Sequence, residues 1–464
     1  MAEQAKFLTG NLFRHISVMS LTASIGLMAV FLVDFIDMIF ISMLGKAELA
    51  AAIGYAGAIL FFTSSFGIGM AIAAGALVSR ALGAGNEEEA RSKATNAMIF
   101  GVVFGAIFAA LVWSNLTFLA GLMGASGETL DLAVLYLAII IPSLPLLIIG
   151  MIGGAILRAH GDARRSMLAT VAGGVINAVL DPILIFGLDL ELTGAALASV
   201  AARVGIATFS LLPLIRYYGG FHLPRPGVFL ADLTPISVIA FPAILTQLAT
   251  PVGQAWVTRS MATYGEDAVA GMAIIGRLVP VAFGTVFALS GAVGPVIGQN
   301  FGAGLQDRVR RAFIDGLIFT LVVVLSVTVI LFLLRAPIAG LFQADGLTRE
   351  LVFLFCGPLA LTFFFNGAIF VSNAAFNNLG HPFYSTWTNW GRHTLGTIPF
   401  VAAGAALFGA PGVLIGQAAG GLVFAAIAVW LAFRVIERRP EPRGKGPVPD
   451  SFQLRLFQLF HRHR

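Results

Sequence analysis

Apolar residues run along this chain in stretches too long for the core of a soluble domain. No Asp, Glu, Lys or Arg interrupts residues 49–79, 94–127, 132–157, 233–258, 278–306 or 316–334. A helix that crosses a bilayer needs about 20 such residues. Cutting the pattern at its polar and Gly/Pro turns predicts twelve membrane-spanning helices. They fall near residues 15–44, 49–79, 94–122, 130–157, 166–187, 193–216, 233–263, 268–300, 312–340, 348–378, 383–408 and 412–434. The late runs need internal breaks. Gly380-His381-Pro382 supplies one turn and Gly409-Ala410-Pro411-Gly412 the next.

The basic residues orient these spans, because cytoplasmic connections collect Lys and Arg. Even-numbered connections hold Arg80, Arg91, Lys93, Arg158, Arg164, Arg165, Arg216, Arg225, Arg308, Arg310 and Arg311. Odd-numbered ones hold only Lys46, Arg335 and Arg349. Lys6 and Arg14 precede the first span, and Arg434, Arg438 and Arg439 follow the last. Both termini are therefore expected in the cytoplasm, which requires an even number of spans.

An internal repeat is visible. Arg80-Ala-Leu-Gly-Ala-Gly85 returns as Gln299-Asn-Phe-Gly-Ala-Gly304, 219 residues later, each copy followed by a charged stretch and a new apolar span. At the same offset Gly161 matches Gly380. Each half holds six spans, so the halves run the same way through the membrane. The expected organisation is an N-terminal six-helix lobe over 12–216, a cytoplasmic connector over 217–232, a C-terminal six-helix lobe over 233–435 and a cytoplasmic tail over 436–464. The tail reads as a flexible Pro/Gly-rich linker. Phe452, Leu456, Leu459 and Phe460 then share one face of a surface helix, with a disordered tail as the alternative.

Composition agrees with the pattern. The chain is 58% hydrophobic and 11% charged over 464 residues, against about 25% charged in soluble domains. Its formal charge of +5 sits at helix ends, which suits membrane topology and gives no reason to expect nucleic acid. The single Cys356 rules out an internal disulfide, and no metal-type Cys/His spacing occurs. The first ten residues lack the marks of a removed signal peptide, so the first span is expected to be retained. No phosphate-binding P-loop, His-Glu-x-x-His or Gly-x-Ser-x-Gly motif is present, so neither ATP nor a cofactor is expected. Nothing requires a second subunit, and a monomer is expected.

Ionisable groups inside a bilayer are costly, and each is a functional candidate. Asp34 and Asp37 lie three apart on one face of the first span; Asn177 and Asp181 lie four apart on one face of the fifth. Ser199 stands one turn before Arg203 in the sixth span, while Arg277 and Arg392 lie in the eighth and eleventh. Bland alternatives exist for each. Asp34 or Asp37 could be hydrated near an interface. Asp181 could cap a helix disturbed by Pro182. Arg203 could be paired with an acid only to stay buried, and Arg277 and Arg392 could be structural. The acids could carry protons. Alternatively Asp37, Asn177, Asp181 and Ser199 could offer oxygens to a sodium ion.

At these residues the sequence resembles the multidrug and toxic compound extrusion (MATE) family. The resemblance rests on Asp37-Met-Ile-Phe-Ile-Ser-Met-Leu-Gly45, Ile156-Leu-Arg-Ala-His-Gly-Asp162, Asn177-Ala-Val-Leu-Asp-Pro-Ile-Leu-Ile-Phe-Gly187, Gly194-Ala-Ala-Leu-Ala-Ser199 and Gly298-Gln-Asn-Phe-Gly-Ala-Gly304. It covers roughly residues 12 to 435. It implies an all-α membrane protein of two pseudo-twofold-related six-helix lobes forming a V. It also implies export of small organic, often cationic or amphipathic, molecules across a prokaryotic inner membrane by alternating access, in exchange for protons or sodium. Asp37 would be the first-helix acid, Asp181 the fifth-helix acid with Asn177 beside it, and Ser199 would stand where Thr is common. Two departures matter. The C-terminal lobe lacks the acids common in helices seven and ten, as in the DinF-like prokaryotic subgroup. The first span has no proline, so a proline-centred bend on protonation is not expected, although Gly26 could still permit flexing. Two other functions compete with export: a lipid-linked sugar flippase, for which Arg203, Arg277 and Arg392 would line a cationic cavity, and an intramembrane enzyme using Asp34 and Asp37 as a carboxylate pair.

Overall fold

Long apolar stretches leave the backbone no partner but itself, and the result is helix throughout. The computed structural model describes residues 5–223 and 226–437. The predicted linker and surface helix at Phe452–Phe460, and Pro224 and Arg225 of the connector, lie outside the described residues. Among these there is no strand. In chain order the helices are α1 (Leu12–Met43), α2 (Ala47–Gly83), α3 (Glu87–Trp113), a short α4 (Leu116–Leu122), α5 (Gly127–Ile140), α6 (Leu144–Ala159), α7 (Ala163–Pro182) and α8 (Glu191–Tyr217). The second half holds α9 (Pro226–Ala262), α10 (Glu266–Gly302), α11 (Gln306–Leu341), α12 (Gly346–Leu354), α13 (Phe363–Leu379), α14 (Pro382–Gly391) and α15 (Ile398–Glu437).

Ten helical stretches among the described residues are long and apolar enough to span a membrane. The pair Gly346–Leu359 and Phe363–Leu379, bent by 56°, makes one more. The continuous stretch Pro382–Glu437 is two spans, because the chain leaves helical geometry at Gly409 (φ 64°, ψ −142°) and turns back. A Cβ on Gly404 would run into the Gly412 carbonyl, one on Gly416 into that of Phe400, and one on Gly420 into that of Gly396. That register belongs only to two antiparallel helices in backbone contact, so the crossings come to the twelve predicted.

Several boundaries differ from expectation. The third span ends at Trp113, and 116–122 forms its own short helix. The fourth is broken at Ile141–Ser143, where Pro142 cannot bond the carbonyl four residues back. That carbonyl, on Ala138, accepts the Trp113 indole N–H instead (3.2 Å). The connector is shorter than expected, since α9 already begins at Pro226. As the absence of proline implies, α1 runs unbroken; a Cβ on Gly26 would lie 3.4 Å from Thr170 Cβ, so the glycine serves close packing on α7.

The repeat is reproduced in conformation. Gly85 and Gly304 adopt φ 75° and 74°, and Gly161 and Gly380 adopt 80° and 89°, the left-handed turn that ends a helix without a Cβ penalty. Within the first half α2 packs on α3 and α6, and α7 on α1 and α8; within the second, α10 packs on α11 and α13, and α15 on α13 and α14. The two lobes meet through α1 and α2 against α9 and α10. The contact is tightest at the end that carries the basic connections. Arg80 donates to the carbonyls of Asn377 (2.7 Å) and Asn378 (2.8 Å), and Gln299 Nε2 to that of Ala159 (2.7 Å). A Cβ on Gly83 would strike the Gln299 backbone, and one on Gly302 the Arg80 carbonyl.

The N-terminal residues strap this end shut. Phe7 is fully buried, its N–H donates to Gln299 Oε1 (2.8 Å), and its carbonyl accepts from Arg308 (2.9 Å). Lys6 Nζ reaches the Gly161 carbonyl in the other lobe (2.7 Å).

The hairpin at Gly409 gives a direct test. Gly420→Val should cost at least about 1–3 kcal/mol, the usual penalty of overpacking. It should lower the melting temperature in detergent and the yield of monodisperse protein. Gly54→Ala, where an added Cβ meets nothing within 4 Å, should leave both unchanged; equal effects would mean that the two helices are not in backbone contact.

Candidate functional site

The site begins on α7. Asn177 and Asp181 are one helical turn apart, and Asn177 Nδ2 donates to Asp181 Oδ2 (2.6 Å). Asp181 has no exposed surface, and its Oδ1 has no hydrogen-bond partner among the described residues. The helix is disturbed immediately afterwards: Pro182 closes α7, and Ile183–Gly187 winds as a single π-turn. Such turns recur at functional sites.

Glycines bring the neighbouring helices in. Gly174 faces Val33 of α1, and Gly173 faces Ile206 of α8. The close α1–α7 approach carries Asp37 to Asn177, with 3.5 Å between Nδ2 and Asp37 Oδ1. The carboxyls of Asp37 and Asp181 lie within hydrogen-bonding reach of each other. From α8, Ser199 contacts the hydroxyl of Tyr136, a buried residue of α5. Four helices thus supply one cluster of oxygens and an amide.

Arg203 borders this cluster and is held differently from expectation. No acid pairs with it among the described residues. Its Nη1 donates to the Ile140 carbonyl (3.0 Å) and to Ser143 Oγ (2.9 Å), and Ser143 itself bonds Ile140 O (2.7 Å). The break at Pro142 exposes that carbonyl, and the guanidinium caps it.

The other candidates stand apart. Asp34 is exposed and makes no hydrogen bond or ion pair among the described residues; it stands within electrostatic reach of Asp37 and outside the hydrogen-bonded cluster. Arg277 is exposed on α10, and Arg392 lies in the second lobe. No group of three or more His, Cys, Asp or Glu that could hold a metal occurs among the described residues. Tyr136 was not singled out from sequence: a lone Tyr in the apolar run 132–157 carries no signal without its Ser199 contact.

At the basic end, outside the spans, Asp162 caps α7. It accepts the Arg165 N–H (3.0 Å), the Arg165 guanidinium (2.6 Å) and the Tyr218 hydroxyl (2.8 Å). Burial pushes its carboxyl up, but these donors outweigh that and hold it below the usual range. A depressed acid stabilises above its unfolded pKa and fails only as pH falls through the lowered value, so this clasp persists at neutral pH. Tyr218 is pushed up to about 12 by burial and by Asp162. Nearby, Lys93 pairs with buried Asp232 of α9, which also accepts from Asn96 (2.7 Å), tying α3 to the second lobe.

Comparison with known proteins places this arrangement. The MatE family model matches residues 23–183 and 242–423, one segment in each lobe. The chain belongs to the MatE family. Its members are transporters, not enzymes, so the carboxylate-pair enzyme is set aside. The chain is 29% identical over 446 residues to a protein of Shewanella oneidensis named FAD transporter, covering 94% of this chain and 98% of that one. It is 28% identical over 346 residues to the multidrug export protein MepA of Staphylococcus saprophyticus, covering 73% of this chain and 76% of that one. Among solved structures, an outward-facing MATE multidrug-resistance transporter of the MOP superfamily superposes with TM-score 0.87 at 23% identity, over 94% of this chain and 98% of that chain. The MATE transporter VcmN of Vibrio cholerae gives 0.87 at 24%, over 93% and 98%. At these identities the structures establish the MatE fold with its two lobes.

The capping role of Arg203 is testable. Arg203→Gln should remove one of the two side-chain donors to the Ile140 carbonyl and the donor to Ser143 Oγ, at a typical cost of about 1–3 kcal/mol. The melting temperature should drop, and Arg203→Lys should recover only part of it. An unchanged melt for Arg203→Gln would refute the role.

Proposed function

We propose that this MatE protein is a proton-coupled antiporter that exports small organic molecules by alternating access. The observation that carries the reading is the Asp37–Asp181 pair: two carboxyls from different helices within hydrogen-bonding reach, one of them wholly buried, sharing a single amide. One proton can sit between them. When both are ionised, the like charges repel and α1 is pushed from α7. Loading and unloading of that proton therefore bears on the packing of the helix that also touches the opposite lobe.

The basic end is assigned to the cytoplasm, with both termini there, and the membrane is the inner membrane of a prokaryote. This follows the skew of Lys and Arg. On that assignment the lobes are clamped on the cytoplasmic side, the outward-open state. Protons arriving from outside neutralise the pair and favour cargo release; return of the clamp to an open form lets cargo enter from the cytoplasm. One charge crossing about 100 mV yields about 2.3 kcal/mol, enough to shift a two-state equilibrium roughly fiftyfold. The names of the relatives favour drug-like organic cargo in one case and a dinucleotide in the other.

Sodium coupling is the second reading, favoured by one observation. Asp181 Oδ1 is buried without a partner. Asp37, Asn177, Asp181 and Ser199 would supply oxygens to the ion, which would hold the two carboxylates together as a proton does. The flippase reading loses one of its three arginines, because Arg203 is engaged by the Ile140 carbonyl and Ser143.

Asp37→Asn and Asp181→Asn should each abolish export, with melting temperature and oligomeric profile preserved. Export is measured as ethidium movement in vesicles under an imposed pH gradient, with and without sodium. Full export by both variants would sink the assignment. Transport that follows the sodium gradient and ignores the pH gradient would replace the proton by sodium.

A further inference from the structure

Arg392 is an intramembrane cation for which the antiport scheme has no use. It opens a π-turn, Arg392–Gly396, that follows α14. α14 starts at Pro382, beside the Asn377 and Asn378 carbonyls clamped by Arg80 at the basic end. Ten residues of helix rise about 15 Å, which puts Arg392 near the middle of a hydrocarbon core about 30 Å thick. Its side chain is half-buried there, so the guanidinium is accessible.

Its guanidinium makes no hydrogen bond and no ion pair among the described residues; only its backbone carbonyl is used, by Thr397 (2.9 Å). An acid could relieve it, but none pairs with it: the buried acid of α11, Asp315, is taken by Arg311 (2.9 Å) near the basic end, and residues 233–262, 268–302, 316–341 and 351–436 have no Asp or Glu. What surrounds the site is neutral. Asn389 bonds Asn373 (3.2 Å), His393 faces Thr250 (3.4 Å), and Gln417 bonds Gln254 (3.0 Å).

The repeat provides an internal control. At the 219-residue offset, Arg392 corresponds to Gly173 and Gly421 to Ala202. In the first lobe this seam is closed: a Cβ on Gly173 would meet the Ala202 carbonyl at 3.2 Å and run into Ile206. In the second lobe the same seam holds a guanidinium, its Nε 3.9 Å from where a Cβ on Gly421 would stand. The first lobe's own interior arginine, Arg203, is satisfied by a helix-end carbonyl and a hydroxyl. Arg392 has neither. A structural arginine would carry such bonds; Arg392 instead stands half-buried with its guanidinium unengaged among the described residues.

We propose that Arg392 is the seat for the oxyanion, carboxylate or phosphate, of an amphipathic organic anion that enters the second lobe. This rests on the transporter reading above and names part of its cargo chemistry. The two lobes then differ in kind: the first handles a cation between acids, the second receives an anion on an arginine. Guanidinium forks match both groups. The oxyanion can belong to transported cargo or to a lipid headgroup.

Riboflavin 5′-phosphate and riboflavin differ only in the phosphate, and their binding to the full-length chain in phosphatidylcholine nanodiscs can be followed by flavin fluorescence. The wild type should hold the phosphate form about tenfold tighter, the worth of one charge-assisted contact. Arg392→Gln should lose that preference and keep its affinity for riboflavin, while Arg392→Lys should retain most of the preference. Adding phosphatidylglycerol separates the sources. Preference that survives the anionic lipid assigns the seat to cargo; preference that the lipid erases in the wild type assigns it to a headgroup. No preference in the wild type in either lipid overturns the proposal. So does equal loss of both flavins in Arg392→Gln. Ethidium export by the same preparations reports on the transporter reading separately: its absence in the wild type would remove that reading and leave the binding result standing.

Discussion

A polar group in hydrocarbon must find its partner inside the protein, and most of what distinguishes this molecule follows from that demand. Proline breaks free carbonyls, and side chains then answer them. The break at Pro142 is met twice, by the Trp113 indole on one carbonyl and by Arg203 on another. Arg80 spends its guanidinium on two helix-end carbonyls of the opposite lobe. These bonds fix where helices stop and where lobes touch. Among the charged groups left without a hydrogen bond, Asp181 Oδ1 is buried in the acid cluster and the Arg392 guanidinium is part-exposed in the second lobe.

Duplication supplies the scaffold, and divergence inside it supplies the chemistry. The two halves share left-handed glycine turns and a π-turn in the fifth helix of each. Where they differ, they differ in charge. The first half has acids on α1 and α7 with a tight glycine seam; the second keeps its buried acid, Asp315, at the basic end of α11 beside Arg311 and has an arginine at the seam.

Much of this could be seen in the sequence. Helix number followed from apolar length and Gly/Pro turns. The repeat followed from matched Gly-Ala-Gly turns, which keep their spacing because a left-handed turn tolerates little else. Asn177 and Asp181 were visibly on one face because four residues make a turn. What escaped was any contact that needed two distant segments at once. Tyr136 meets Ser199 across the lobe, and nothing local marks it. Arg203 looked like the partner of an acid, since the frayed helix end that receives it exists only in three dimensions. The Trp113 indole meets the Ala138 carbonyl that Pro142 leaves free, another contact that nothing local marks.

The N-terminal strap has a consequence for how the molecule is made. Phe7 emerges from the ribosome first, yet its partners Gln299, Asn300 and Arg308 come some three hundred residues later. The first lobe can be inserted and packed while the strap still hangs free. Only when α10 and the start of α11 arrive can the clamp form. Closure of the cytoplasmic end is thus a late event of biosynthesis, and a chain interrupted before that point stays unsealed at this end.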